Sequence, residues 1–232
     1  MSSPTIVFDL DGTLIDTAPD LVATLNVILI REGLSPLAYE TARNLVGGGA
    51  KAMIARGLEA EGRPCPPPRL EELLADFIAH YSDHLTERSQ PFPGVTDALD
   101  ALSERGYQFA VCTNKIERLS TNLLKHHDLA ERFITICGPD TFGIEKPDPE
   151  ILRRTVMRAG GTLKQAIMIG DSIVDIHTAR ARATWGIVFY RTTLGCAWER
   201  QIFCARAATD IGSCAKLLMV RSGPKSATGR SL

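Results

Sequence analysis

The chain has 232 residues, 44% hydrophobic and 23% charged, with a formal net charge of -1. The length exceeds one average domain and leaves room for an inserted module, and the composition is that of an ordinary globular protein. No excess of Lys and Arg is present to neutralise a nucleic-acid backbone, and no stretch is long and apolar enough to span a bilayer, so neither nucleic acid nor membrane is the expected partner.

Thr5-Ile6-Val7-Phe8 is short, apolar and β-branched, which predicts a buried strand ending in the polar turn Asp9-Leu10-Asp11-Gly12-Thr13. From Pro19 to Gly33 the apolar residues Leu21, Leu25, Ile28 and Leu29 recur at helical spacing, with Pro at the start and Gly at the stop. Residues 42–46 and 50–58 read as helical around Gly47-Gly48-Gly49, and the Pro-rich stretch 63–68 reads as a stiff connector. Leu70, Leu73, Leu74, Phe77, Ile78, Tyr81 and Leu85 then line one face of a long amphipathic helix. No strand is predicted between residues 16 and 90.

After Pro93-Gly94 the grammar changes. Helices are expected over 95–105, 116–126, 149–159 and 174–183, alternating with strands over 107–112, 133–137, 166–169 and 186–190. Such alternation implies a parallel sheet covered by helices on both faces. The strand at 5–8 most simply joins that sheet. The expected domains are therefore an α/β core of residues 1–15 and 91–221, an inserted all-helical unit of residues 16–90, and a disordered tail of residues 222–232.

The start, Met1-Ser2-Ser3-Pro4, lacks the charged and apolar regions of a signal peptide. The six cysteines (65, 112, 137, 196, 204 and 214) are scattered with no C-x-x-C pair, so reduced thiols in a cytoplasmic protein are expected.

Four polar clusters fall at the C-terminal ends of predicted strands, where open parallel sheets bind ligands. They are Asp9 to Thr13, Thr113-Asn114-Lys115, Lys146-Pro147, and Gly170-Asp171-Ser172 with Asp175. Each has an ordinary reading: surface carboxylates, a solvated loop, or a helix N-cap. Four in order, all at strand ends, make coincidence a poor account. Asp9 and Asp11 face the same way on an extended backbone and repel unless a cation or proton intervenes. With Asp171 they offer hard oxygen donors suited to Mg²⁺. A carboxylate can attack phosphorus, and a second can protonate the leaving oxygen, so Asp9 is the expected nucleophile and Asp11 the acid/base. Thr113, Asn114 and Lys146 supply donors and positive charge for a phosphoryl group.

These four motifs, D-L-D-G-T, T-N, K-P-D-P and G-D-S-x-x-D, resemble those of the haloacid dehalogenase superfamily of aspartate-nucleophile phosphatases, from Thr5 to about Ala183. The resemblance implies a Rossmann-like core, and a helical insertion acting as a cap over the site. It also implies that Asp9, the backbone carbonyl of Asp11 and Asp171 bind Mg²⁺, with Asp175 in support. The longer run from Phe8 to Leu21, Val46-Gly47-Gly48-Gly49-Ala50 and Thr113-Asn114-Lys115 is similar to the phosphoglycolate phosphatase group. That implies hydrolysis of the phosphomonoester of a small metabolite, 2-phosphoglycolate, by a monomer or homodimer. A cap cation should then meet the substrate carboxylate, with Lys51, Arg56 and Lys115 as candidates. Another phosphorylated substrate such as a sugar phosphate or pyrophosphate, or a phosphomutase, uses the same residues. A receiver-like signalling domain that stores phosphate on aspartate is the rival from another class. It lacks a helical insertion, and an acid/base two residues after the nucleophile favours turnover over storage. A non-catalytic interaction protein would have no use for intact Asp9, Asp11 and Lys146.

The pattern departs from the superfamily after residue 183, and residues 196–210 fit it poorly, although 211–220 resembles a terminal helix. His80 and His84, four apart, read as solvated rather than metal-binding. His126-His127 reads as a structural helix end. Gly47-Gly48-Gly49 is no P-loop, because no G-K-[ST] follows.

Overall fold

The structure is a computed structural model that describes residues 3–179 throughout and the backbone of residues 180, 185–191 and 198–203. In chain order the elements are β1 (Thr5–Phe8), β2 (Ile15–Asp16), α1 (Ala18–Arg31), α2 (Tyr39–Ala42), α3 (Ala50–Ala60), α4 (Pro67–Asp83), β3 (Gln90–Pro91), α5 (Val95–Ser103), β4 (Gln108–Cys112), α6 (Glu117–His126), β5 (Thr135–Cys137), α7 (Pro139–Phe142), α8 (Pro149–Arg158), β6 (Ala166–Gly170), α9 (Ile173–Arg180), β7 (Trp185–Arg191) and β8 (Trp198–Phe203).

Six strands form one sheet in the order β5-β4-β1-β6-β7-β8. β1 lies between strands more than a hundred residues further along, pairing Thr5 with both Gln108 and Ala166 in parallel register. The physical reason is that all four residues of β1 are apolar or β-branched and buried, so it needs cover on both faces and a partner on both edges. Ile6 and Phe8 face one layer with Phe109, Val111 and the buried leucines of α5 and α6. Phe8 meets Phe109 edge to face at a centroid distance of 5.9 Å. Val7 faces the opposite layer with Ala110, Met168 and Ile151, Leu152 and Val156 of α8. The α/β sheet with helices on both sides is thus as the alternation of elements requires.

Helices α1 to α4 follow the first crossing from the sheet and pack on one another around Leu25, Ile28, Met53, Ile54, Phe77 and Tyr81. The amphipathic pattern over 70–85 is realised in α4, which buries Leu73, Phe77 and Tyr81. Pro67 and Pro68 belong to this helix and not to the connector. They occupy its first turn, where a missing N–H costs nothing. A second difference lies at the two ends of the segment. Ile15 pairs with Pro91 and Asp16 with Gln90 in a short antiparallel ribbon, too short for any periodic signal. Beside it the Asp20 carboxylate, 2% exposed, accepts from the Arg88 amide at 3.0 Å, the Ser89 amide at 2.8 Å and the Ser89 hydroxyl at 2.6 Å. The first turn of α1 is thereby fixed to the returning chain.

Two further elements were not expected: the four-residue α7, and β8, which runs antiparallel to β7 inside the stretch that departs from the superfamily pattern. The helix expected at 211–220, the end of α9 beyond 180 and the tail 222–232 lie outside the described residues. Cys65, Cys112 and Cys137 carry free thiols.

Candidate active site

The loops after β1, β4 and β6, with the segment carrying Lys146, meet at the C-terminal edge of the sheet. The backbone of Asp9 still follows the ladder, donating its N–H to Ile169 at 2.8 Å. Its side chain turns into the crevice, where Oδ1 accepts from the Leu10 amide at 2.7 Å and meets Lys146 Nζ at 2.9 Å. Lys146 Nζ also donates to Asp175 Oδ1 at 2.7 Å. The second oxygen of Asp175 accepts from the Ser172 amide at 3.0 Å and hydroxyl at 2.6 Å. Carboxylate oxygens of Asp9, Asp171 and Asp175 all lie within 4.8 Å of one another. Residues 162 positions apart in sequence, Asp9 and Asp171, are thus close enough to share one ion.

Two glycines make this packing possible. Gly12 has φ +82°, and a Cβ there would sit 2.1 Å from Asp171 Oδ2. A Cβ on Gly170 would lie 2.3 Å from Asp175 Cγ.

The electrostatics follow from the geometry. Burial pushes the Asp9 carboxyl up to about 6, against the pull of Lys146 and with help from Asp175 and Asp11. Burial, then the charges of Asp9 and Asp175, push Asp171 up to about 8. Burial alone would lower the Lys146 ammonium, but Asp175 and Asp9 outweigh it and hold the group charged. A divalent cation would relieve the crowding of Asp9 and Asp171, and hard carboxylate oxygens are the ligands that Mg²⁺ takes. The donor set therefore fits that ion. Asp175, with both oxygens already engaged, is suited to orienting Lys146 and the 172 loop around it.

Asp11 stands outside this carboxylate group. Its Oδ1 accepts from Thr17 Oγ1 at 2.7 Å and from Lys115 Nζ at 2.8 Å. Lys115 Nζ also donates to Tyr81 Oη at 2.9 Å and lies 4.5 Å from the Tyr81 ring centroid. A chain of contacts therefore joins α4 to Asp11 through the buried Lys115. Asn114 is likewise engaged: its carboxamide accepts from the Lys146 amide at 2.8 Å and donates to the Lys146 carbonyl at 2.9 Å. It staples the second and third loops together. Thr113, 1% exposed, accepts from the Lys115 amide at 3.2 Å.

Above these groups lies a cavity of about 360 Å³ with the loops of the sheet below and α1, α3 and α4 above. It reaches Asp9, Asp11, Thr113, Asn114, Lys146 and Asp171. The three cations expected to meet a substrate fare differently. Lys51 lines the cavity while paired with Glu71. Lys115 lines it but is bound to Asp11 and Tyr81. Arg56 does not line it, because its guanidinium turns back to the carbonyls of Gly47 and Ala52. Sequence reasoning missed Arg43, which does line it, and also Thr17 and Tyr81. Tyr81 was visible only as one member of an apolar stripe, and nothing local distinguishes Arg43 or Thr17.

His80 and His84 stack on each other at 4.0 Å, with His80 Nδ1 at 3.3 Å from Thr24 Oγ1 and His84 Nδ1 on the His80 carbonyl. Neither belongs to a cluster of potential metal ligands among the described residues.

A parallel sheet carrying an Asp-x-Asp after its central strand, a buried lysine and a further acidic loop defines a known class of enzyme. Residues 6–187 match the haloacid dehalogenase-like hydrolase family, and the chain belongs to that family. Within it, the chain is 44% identical over 181 residues to "Phosphoglycolate phosphatase" of Agrobacterium fabrum, covering 78% of each chain. It is 34% identical over 179 residues to "N-acetylmuramic acid 6-phosphate phosphatase" of Pseudomonas aeruginosa, covering 77% of this chain and 78% of that one. A crystal structure of a predicted phosphoglycolate phosphatase from Haemophilus somnus superposes with a TM-score of 0.72 at 26% identity, covering 79% of this chain and 84% of the other. The protein is accordingly an enzyme of the phosphatase kind.

Proposed function

We propose that the enzyme hydrolyses 2-phosphoglycolate to glycolate and phosphate through an aspartyl phosphate on Asp9, with Mg²⁺ as cofactor. The observation that carries this reading is the approach of the Asp9 and Asp171 carboxylates beside Lys146. The substrate is drawn from the relatives of the same name.

In this reading Asp9 and Asp171 hold the metal, together with the backbone carbonyl of Asp11, while Asp175 keeps Lys146 in place. The ion supplies charge neutralisation for the phosphate dianion. Asp9 Oδ attacks phosphorus, forming a P–O bond to the carboxylate as the P–O bond to the glycolate oxygen breaks. Asp11 donates a proton to that leaving oxygen. A water then attacks phosphorus, Asp11 takes its proton, and the bond to Asp9 breaks to release phosphate and restore the carboxylate. Lys146 and Thr113 face the transferring oxygens. Asn114 positions Lys146 through its two backbone hydrogen bonds. Helices α1 to α4 act as the cap that excludes water. The scattered cysteines, with no C-x-x-C pair, support a cytoplasmic setting.

A second reading, a larger phosphorylated sugar, is favoured by the cavity of about 360 Å³ and by the Pseudomonas aeruginosa relative. A panel of phosphomonoesters assayed for phosphate release with and without Mg²⁺ separates the two. Preference for a sugar phosphate over 2-phosphoglycolate would remove the first. Asp9→Asn should reduce kcat by at least about 10⁴-fold while leaving the fold intact, since the nucleophile acts in a unit with its partners. Retained turnover would contradict the assignment.

A further inference from the structure

We infer that Arg43 reads a carboxylate on the non-reacting end of the substrate, so that the enzyme selects phosphomonoesters carrying a second anionic group. The inference rests on the phosphatase reading of the site and adds to it the residue that sets specificity. Four cationic side chains line the cavity among the described residues: Arg43, Lys51, Lys115 and Lys146. Lys146 is 2.9 Å from Asp9 and 2.7 Å from Asp175, and it belongs to the reacting centre. Lys115 is bound by Asp11 at 2.8 Å and by Tyr81 at 2.9 Å. Lys51 is half-exposed and already in contact with Glu71.

Arg43 differs from all three. It sits in the short helical turn Arg43–Leu45 ahead of the glycine loop, within the helical segment between α1 and α3 and not on the sheet loops that carry Asp9, Lys146 and Asp171. Its side chain is 27% exposed, and its nearest carboxylate, Glu40, stands 3.9 Å off and is 82% exposed, where water screens the pair. The Tyr39 ring packs at 5.6 Å from the guanidinium, restricting its motion without neutralising it. A planar guanidinium held this way presents two parallel donors, which match a carboxylate bidentately. Placing charge opposite charge in a cavity with Leu21, Met53 and Phe77 on its walls strengthens the contact.

The test compares 2-phosphoglycolate with ethyl phosphate, which has the same reacting end and no carboxylate. Steady-state kinetics are measured with Mg²⁺ on the full chain, as wild type, Arg43→Ala, Arg43→Lys and Lys51→Ala. Wild type should favour 2-phosphoglycolate, and Arg43→Ala should lower the ratio of the two kcat/KM values by about 10- to 100-fold, chiefly through KM. Arg43→Lys should recover part of the ratio, and Lys51→Ala should shift it less than about threefold. The ratio is internal to each variant, so a loss of folded protein cancels. A wild type with no preference for the carboxylate ester would overturn the substrate reading. A preference that survives Arg43→Ala, or is lost only in Lys51→Ala, would overturn the assignment of Arg43 alone.

Discussion

Lys146 is 4% exposed and lies between two carboxylates. Its ammonium offsets the charge of Asp9, and at the same time it is the ion-pair partner of the buried Asp175. Removing it would leave Asp175, 0% exposed, without a counter-charge. Lys146→Ala should therefore lose both turnover and about 3–5 kcal/mol of stability, measured by urea denaturation. A stable but inactive variant would show that the ammonium acts on substrate alone. Gly12 is a second residue whose identity the site dictates. At φ +82°, with Asp171 Oδ2 at 2.1 Å from where a Cβ would be, Gly12→Ala must strain the turn and push the Asp171 carboxylate aside. Weakened Mg²⁺ affinity, read by isothermal titration, is the expected result. Unchanged affinity would mean that Asp171 does not hold the ion from this position.

At the scale of elements, α4 does two things that its sequence shows only in part. The stripe at Leu73, Phe77 and Tyr81 buries the helix. The Tyr81 hydroxyl, at the end of that stripe, accepts from Lys115 and so ties the helical segment to the loop after β4. Tyr81→Phe keeps the ring under the ammonium and deletes only that hydrogen bond. It should cost about 1–2 kcal/mol in denaturant unfolding, with an unchanged m-value. A neutral substitution would show that the cation over the ring suffices. Several elements were legible from pattern alone: β1, α1, α4 and the alternation from α5 to α9 each have a period or a stop signal long enough to read. The two-residue strands β2 and β3 have neither. β8 (Trp198–Phe203) interleaves Glu199, Arg200 and Gln201 with only a few apolar residues, too little for a strand period to stand out, and α7 is a single turn.

For the molecule as a whole, the crowded acidity at the sheet edge links pH, metal and stability. The ordinary value for an Asp carboxyl is 3.8, and in the fold Asp9 and Asp171 lie higher, at about 6 and about 8. The native state thus holds protons that the unfolded chain has released, so these groups favour the fold below about pH 4. Their contribution is lost as pH rises through 6 and then 8 in the metal-free protein. Mg²⁺ binds the deprotonated carboxylates and restores what that rise removes. Melting curves should accordingly show a larger Mg²⁺-induced increase in Tm at pH 8 than at pH 5. Asp171→Asn should flatten the difference. An increase independent of pH would place the ion elsewhere.

The sequence by itself determined the order of the longer elements and singled out the candidate reacting groups, because both are written locally: hydrophobic period, turn residues, and acidic or basic clusters directly after apolar strands. It also pointed to Asp9, Asp11, Thr113, Asn114, Lys146, Asp171 and Asp175 as residues of one crevice, since parallel strands bring their C-terminal ends to one edge. Only the tertiary structure decided what each of them touches. It turned Asn114 towards the Lys146 backbone, bound Lys115 to Asp11 and Tyr81, directed Arg56 away from the cavity and put Arg43 into it. Those outcomes depend on which partners the long side chains meet where distant segments pack against one another. That competition between contacts far apart along the chain leaves no periodic trace in the residues themselves.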